Sequence, residues 1–218
     1  NEIAMDAVAS SEVAMDAVAS SEIAMDAVRR VSMAIGKLAV GLVGLDPRDY
    51  ADMDAVAASE VAMEAVASSE VAMEAVASSE VAMEAIFNSW LARLAIWESE
   101  VASQTIMQQA RAWLEANVAE EAYRQSSSSE FALIVNKKGL LLAIRHDSAA
   151  APTGSTNGEM REFAQAPTAR RYTDIVGGSL SKDTWYDVAY RMENFQVKSR
   201  QSGTQERRLD FRYVPMEP

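Results

Sequence analysis

The 218-residue chain contains no cysteine, one histidine, nine glycines and five prolines. Without cysteine there is no disulfide framework and no thiolate metal site. Neither Gly nor Pro occurs from Asn1 to Ile35 or from Ala51 to Lys137, so no residue in either stretch breaks a helix by its own chemistry. Long apolar runs are also missing. The most apolar stretch, residues 31–45, is shorter than the roughly 20 residues a membrane-spanning helix needs, and Lys37 interrupts it. It reads as a buried helix end or packed connector, and no membrane insertion is expected. No cationic, apolar, cleavable order opens the chain, and Asn1 stands in mid-repeat, so the numbering reads as starting inside a longer protein. Net charge is −12, with 7 basic and 21 acidic side chains up to residue 125 against 13 and 11 beyond it. An acidic N-terminal half argues against nucleic acid or anionic membrane as a partner.

What is present is repetition. SSEVAMDAVA starts at Ser10 and SSEIAMDAV at Ser20, and SSEVAMEA recurs from Ser68 and Ser78. The beat continues as Ile86, Ile96 and Ile106 after the wording has drifted. A short fixed period over half a chain means stacked units rather than one closed pocket. Ala, Met and Glu favour helix, and runs such as Val71–Val76 put apolar residues on both parities, which rules out strand alternation.

Ten residues at about 100° each fall about 80° short of three turns, so a continuous helix would rotate its apolar stripe from repeat to repeat. Two solutions stay open: overwound helices wrapped around each other, or short helices broken at each Ser-Ser-Glu step, with Ser as N-cap and Glu in the first turn. A single decamer cannot bury its apolar residues alone. The simplest partner is another copy of the chain.

The two repeat blocks are two residues out of phase. Gly36, Gly41, Gly44 and Asp46-Pro47 mark the interruption, read in preference as a kink rather than a fold-back. Asp46, Asp49, Asp52 and Asp54 lack the spacing of a calcium loop and suit turns and caps.

From Ser126 the text changes to Gly, Pro, Thr and aromatic residues. Strands are expected over 131–135, 140–145, 171–176, 184–192, 195–200 and 207–214. Asn136–Gly139 and Gln201–Thr204 are candidate hairpin turns, and 149–158 a loop. Leu209, Phe211 and Tyr213 alternate with Arg208, Asp210 and Arg212, which predicts one buried and one wet face. The fold class is α+β: an elongated, trimeric helical stalk in two segments, 1–45 and 46–125, followed by a small antiparallel β-sandwich head over 126–218.

No motif implies catalysis, a cofactor or a metal. His146-Asp147-Ser148 has suitable residue types, but three consecutive residues cannot orient as a triad. Glu64, Glu74 and Glu84 recur as a solvated face does. Two carboxylates among Glu159, Glu162, Asp174, Asp183 and Asp187 would be needed for glycosidase chemistry at the tip, and nothing in the sequence indicates it. Gly177-Gly178-Ser179 reads as a turn. Trp185, Tyr186, Tyr190, Arg191 and Phe195 are the candidate receptor-binding residues, because aromatic rings over a polar sheet hold sugars; core or subunit packing would use them equally well.

The repeats SSEVAMDAVA and SSEVAMEAVA and the drifted IFNSWLARLAIW resemble the decapeptide arrays of tailed-bacteriophage tail fibres, over about 100 residues. The resemblance implies a homotrimeric virion protein of the tail, outside the cell and not an enzyme. Its head would dock on a host surface polysaccharide or outer-membrane protein, and its shaft would join other virion tail proteins. The repeats are more acidic than the plainest arrays, and no head motif carries over residue by residue. Three other roles compete: a baseplate or fibre-attachment protein, a polysaccharide depolymerase tip, and a bacterial surface adhesin.

Overall fold

The structure, a computed structural model, describes residues 7–8, 11–126, 132–146, 159–163, 170–171, 181, 183–198 and 207–217. The chain divides into two compact units, Asn1–Trp113 and Leu114–Pro218.

Each decamer forms one short helix. The described helices are α1 (Glu12–Ala19), α2 (Glu22–Arg29), α3 (Ser32–Leu42), α4 (Met53–Ala57), α5 (Glu60–Ala67), α6 (Glu70–Ala77), α7 (Glu80–Asn88), α8 (Trp90–Glu98), α9 (Glu100–Gln109) and α10 (Arg111–Asn117). The serine pair sets the breaks. Counting Ser68 as position 1 of its decamer, Ser68 Oγ donates to the Glu64 carbonyl at 2.7 Å and so closes α5. At position 2, Ser69 Oγ accepts from Ala72 N at 3.3 Å and opens α6. Ser59, Ser79, Ser89 and Ser99 cap their helices in the same way. These caps satisfy groups that a helix end leaves without partners, and they exclude the continuous overwound helix in favour of short stacked segments.

In α6, positions 5, 6, 9 and 10 (Ala72, Met73, Val76, Ala77) are buried, whereas Glu70, Val71 and Glu74 are exposed. Helix α3 packs on α6, α4 on α7, α5 on α8 and α6 on α9, so three helices complete one turn of a solenoid. The decamers therefore bury one another within a single subunit. Val66 and Val76 are fully buried inside one chain, so another copy is not needed to bury them and the packing reason for a trimeric coiled stalk falls away. Burying one such side chain stabilises by about 1.5–3 kcal/mol, and repetition supplies what an eight-residue helix lacks.

The interruption is a reversal, not the preferred kink. Helix α3 keeps the repeat pattern with Ala34, Ile35, Leu38 and Ala39 buried, but Gly36 stands at the position of Asp26, Glu64, Glu74 and Glu84. After a 3₁₀ turn (Pro47–Asp49) the chain runs back along α3. The buried Lys37 donates to the Pro47 carbonyl at 3.1 Å, and Met53 N donates to Ser32 Oγ at 3.2 Å. A Cβ on Gly36 would sit 2.6 Å from the Asp52 carbonyl carbon and from Met53 N, so only glycine lets the returning backbone pass. The aspartates cap, as their spacing suggests: Asp46 accepts from Arg48 N and Asp52 from Ala55 N.

The second unit differs from expectation at its start. Helix ends at Asn117 and β1 (Glu120–Ser126) follows, inside the segment read as helical up to residue 125. Pairing with a partner strand overrides local helix propensity there. The other strands are β2 (Ala132–Val135), β3 (Gly139–His146), β4 (Glu159–Phe163), β5 (Arg170–Arg171), β6 (Trp185–Lys198) and β7 (Arg207–Pro215). Among the described residues they form one antiparallel sheet, ordered β1-β7-β3-β6-β4-β5, rather than the two layers of a sandwich. Strand β6 fuses the two strands expected over 184–200, and β4 was not anticipated. Asn136–Gly139 is not a hairpin turn, because β2 and β3 both pair with β6 and lie end to end along it. Of the other expected turns and loops, 201–204 and 149–158 lie outside the described residues. One face carries a core of Leu141, Ile144, Val188, Met192, Phe195, Leu209 and Phe211.

Candidate functional site

The opposite face of the sheet gathers its charged residues around Trp185. Cross-strand register places Arg145 on β3 directly opposite both Trp185 on β6 and Asp210 on β7, with Arg212 opposite Ala143 and Glu121. The guanidinium of Arg145 lies 4.7 Å from the Trp185 ring centroid and that of Arg212 lies 4.6 Å from it. Both fall within cation–π range.

Each charge in the group has a counter-charge. Asp210, only 5% exposed, accepts from Arg145 Nε at 3.1 Å and from Arg208 Nε at 2.7 Å. Arg212 pairs with Glu121 at 2.9 Å and Glu115 at 3.6 Å. Arg208 also lies over the exposed ring of Tyr123. At the edge of the sheet Tyr213 Oη donates to Glu120 at 2.7 Å. Burial first, and then the Glu120 carboxylate, push its phenol up to about 12. Three arginines against Asp210, Glu115 and Glu121, with Asp187 in the same cross-strand row as Arg212, leave no excess of positive charge, so the group is not an anion trap. It offers donors and acceptors held by mutual pairing around one indole, which suits a hydroxyl-rich or zwitterionic surface better than a phosphate.

The five residues expected to contact a receptor separate. Trp185 stands on the charged face. Tyr186 and Tyr190 are half-buried against the core, and Ser181 N donates to Tyr186 Oη at 2.6 Å, which holds that phenol below its ordinary range. Arg191 is half-buried opposite Leu140. Phe195 is fully buried, edge-on to Phe211 at 5.0 Å between centroids, so of its two readings core packing holds and receptor contact does not. Sequence reasoning missed Arg145, Asp210 and Arg212; the alternation of Arg208, Asp210 and Arg212 against Leu209, Phe211 and Tyr213 was the available signal.

His146 ends β3, whereas Asp147, Ser148, Asp174 and Gly177-Gly178-Ser179 lie outside the described residues. The same holds for the side chains of Glu159 and Glu162. Asp183 and Asp187 are exposed, as are Glu64, Glu74 and Glu84. Among the described residues no three His, Cys, Asp or Glu side chains are grouped to hold a metal, and no helix is long and apolar enough to cross a membrane. In the solenoid, a cleft of about 340 Å³ is lined mainly by Met25, Leu38, Leu42 and Val71, with Arg29 and Glu74 at its polar side. No family model and no curated protein matches the chain.

Proposed function

We propose that the chain is a structural and adhesive component of a tailed-phage tail, with the decamer solenoid as scaffold and the β unit as the part that engages a bacterial surface structure. The observation that carries this reading is the decamer itself: its serines cap, its apolar residues at positions 5, 6, 9 and 10 stack, and its acidic residues at positions 3 and 7 face water. Around Trp185 the β unit offers an indole and paired ionic groups, a surface suited to polysaccharide or outer-membrane protein. Several copies on one particle would add avidity to weak single contacts. Because positions 5, 6, 9 and 10 of the decamers are buried within a subunit, they supply no packing surface for a trimer.

Immunogold labelling with antibodies to the purified chain, applied to tailed particles from the strain that encodes it, tests the assignment. Gold on the tails is expected; particles that stay bare would sink it. The adhesive part is tested separately, by measuring binding of the labelled chain to intact cells of a strain panel before and after Trp185→Ala. Equal binding by the variant would remove the sheet face from the proposal.

A further inference from the structure

Helix α8 departs from the repeat where the other helices face water. Position 3 is Glu60, Glu70, Glu80 and Glu100 in its neighbours but Trp90 here; position 7 is Asp54, Glu64, Glu74 and Glu84 but Leu94 here. The acidic residues at these positions are exposed throughout. The core does not account for the change, since Trp90 is 59% exposed at the first turn of α8. Because α5 stacks on α8, its Glu60 and Glu64 border the altered face. The result is a groove of about 170 Å³ lined by Trp90, Leu91, Leu94 and Ala95 of α8 together with Glu60, Glu64 and Glu98. None of the described residues lining it is basic.

From this we infer that the α5/α8 groove is a docking site for a partner polypeptide that lays a lysine or arginine over Trp90 with its aliphatic stem on Leu91 and Leu94. Charge complementarity selects the occupant. An indole face and the carboxylates of Glu60 and Glu64 attract a cation on a hydrocarbon stem, and the rim repels acidic segments. A purely apolar segment would desolvate Glu60 and Glu64 without supplying a counter-charge. The site lies on the solenoid and does not depend on what the sheet face binds.

The test uses the full chain and a fluorescein-labelled hexapeptide of alternating lysine and leucine, with glutamate replacing lysine in a control peptide. Anisotropy measures affinity, and the indole N–H resonances of the isotopically labelled protein report the place of binding. Trp90→Glu restores the residue that the neighbouring repeats carry, so the fold is expected to persist, checked by the helical circular dichroism signal. That variant adds a negative charge but removes the ring. Docking on the groove predicts affinity about tenfold weaker in Trp90→Glu, no binding of the control peptide, and a shift of the Trp90 indole resonance in the parent chain. Generic attraction to an acidic surface predicts equal or tighter binding by Trp90→Glu. That outcome, or an unshifted Trp90 resonance, would overturn the inference.

Discussion

Ser89 Oγ donates to the Ala57 carbonyl at 2.7 Å, across 32 residues, while accepting from Ala92 N in its own helix. Ser99 makes the same pair of bonds, to Ala67 and from Ala102. One hydroxyl thus opens a helix and ties it to the end of another helix one solenoid turn earlier.

Ser89→Ala removes both bonds at once. Loss of an N-cap costs about 1 kcal/mol, and a carbonyl left unsatisfied in partly buried surroundings adds about 1–2 kcal/mol. The first unit should lose about 2–3 kcal/mol in urea unfolding followed at 222 nm. Ser68→Ala removes a single exposed bond to Glu64 and should cost under about 1 kcal/mol. Equal losses in the two variants would show that the link to Ala57 contributes nothing.

Val66 and Val76 are fully buried, whereas Val61 and Val71, at position 4 of the same helices, are 65% and 58% exposed. Replacing Val66 and Val76 together by Asp places two charges in an apolar core and should exceed the few kcal/mol that hold a domain folded. The helical signal should collapse without first passing through a folded, dissociated subunit. The Val61→Asp, Val71→Asp pair should stay within about 0.5 kcal/mol per site. Sedimentation beside circular dichroism distinguishes loss of fold from loss of assembly.

For Gly36→Ala the two effects oppose each other. Alanine gains about 1 kcal/mol in helix propensity, but its Cβ would meet backbone at 2.6 Å on both Asp52 and Met53. Overpacking against backbone typically costs 1–3 kcal/mol, so net destabilisation of about 1–2 kcal/mol is expected. A more stable variant would mean that the returning loop can move away.

Tyr213 gives the β unit an alkaline signature. Its phenol ionises at about 12 instead of 10.0. A folded-state value raised above the unfolded one favours the neutral phenol, so this stabilisation is complete below pH 10 and is lost as pH rises through 12. Unfolding of wild type and Tyr213→Phe, compared from pH 8 to 12, should diverge below pH 10 and converge towards 12. Parallel curves would remove the bond to Glu120 from the account.

Legibility followed the range of the forces involved. Capping by Ser-Ser-Glu and the alternation in β7 are local, and both could be read from residue order. The closing of the solenoid on itself was not legible, because nothing in the decamer says whether its partner lies 30 residues away or in another chain. The reversal turned on Gly36, whose meaning depends on a backbone that returns from Asp52. Strand β1 was hidden for a related reason: EEAYRQS has no strong preference, and its register against β7 decides it. Residue order leaves Phe195 open between core and surface because the shift of parity between Met192 and Phe195, both in the core, is invisible without the sheet.

Three decamers per turn give the array an angular arithmetic. Duplicating one decamer ahead of α8 would carry Trp90 a third of the way around the solenoid axis; duplicating three would return it to the same side, one layer further along. Repeat number thus selects the direction in which a lone altered decamer points, and lineages that gain or lose repeats could re-aim such a patch without changing a single residue in it.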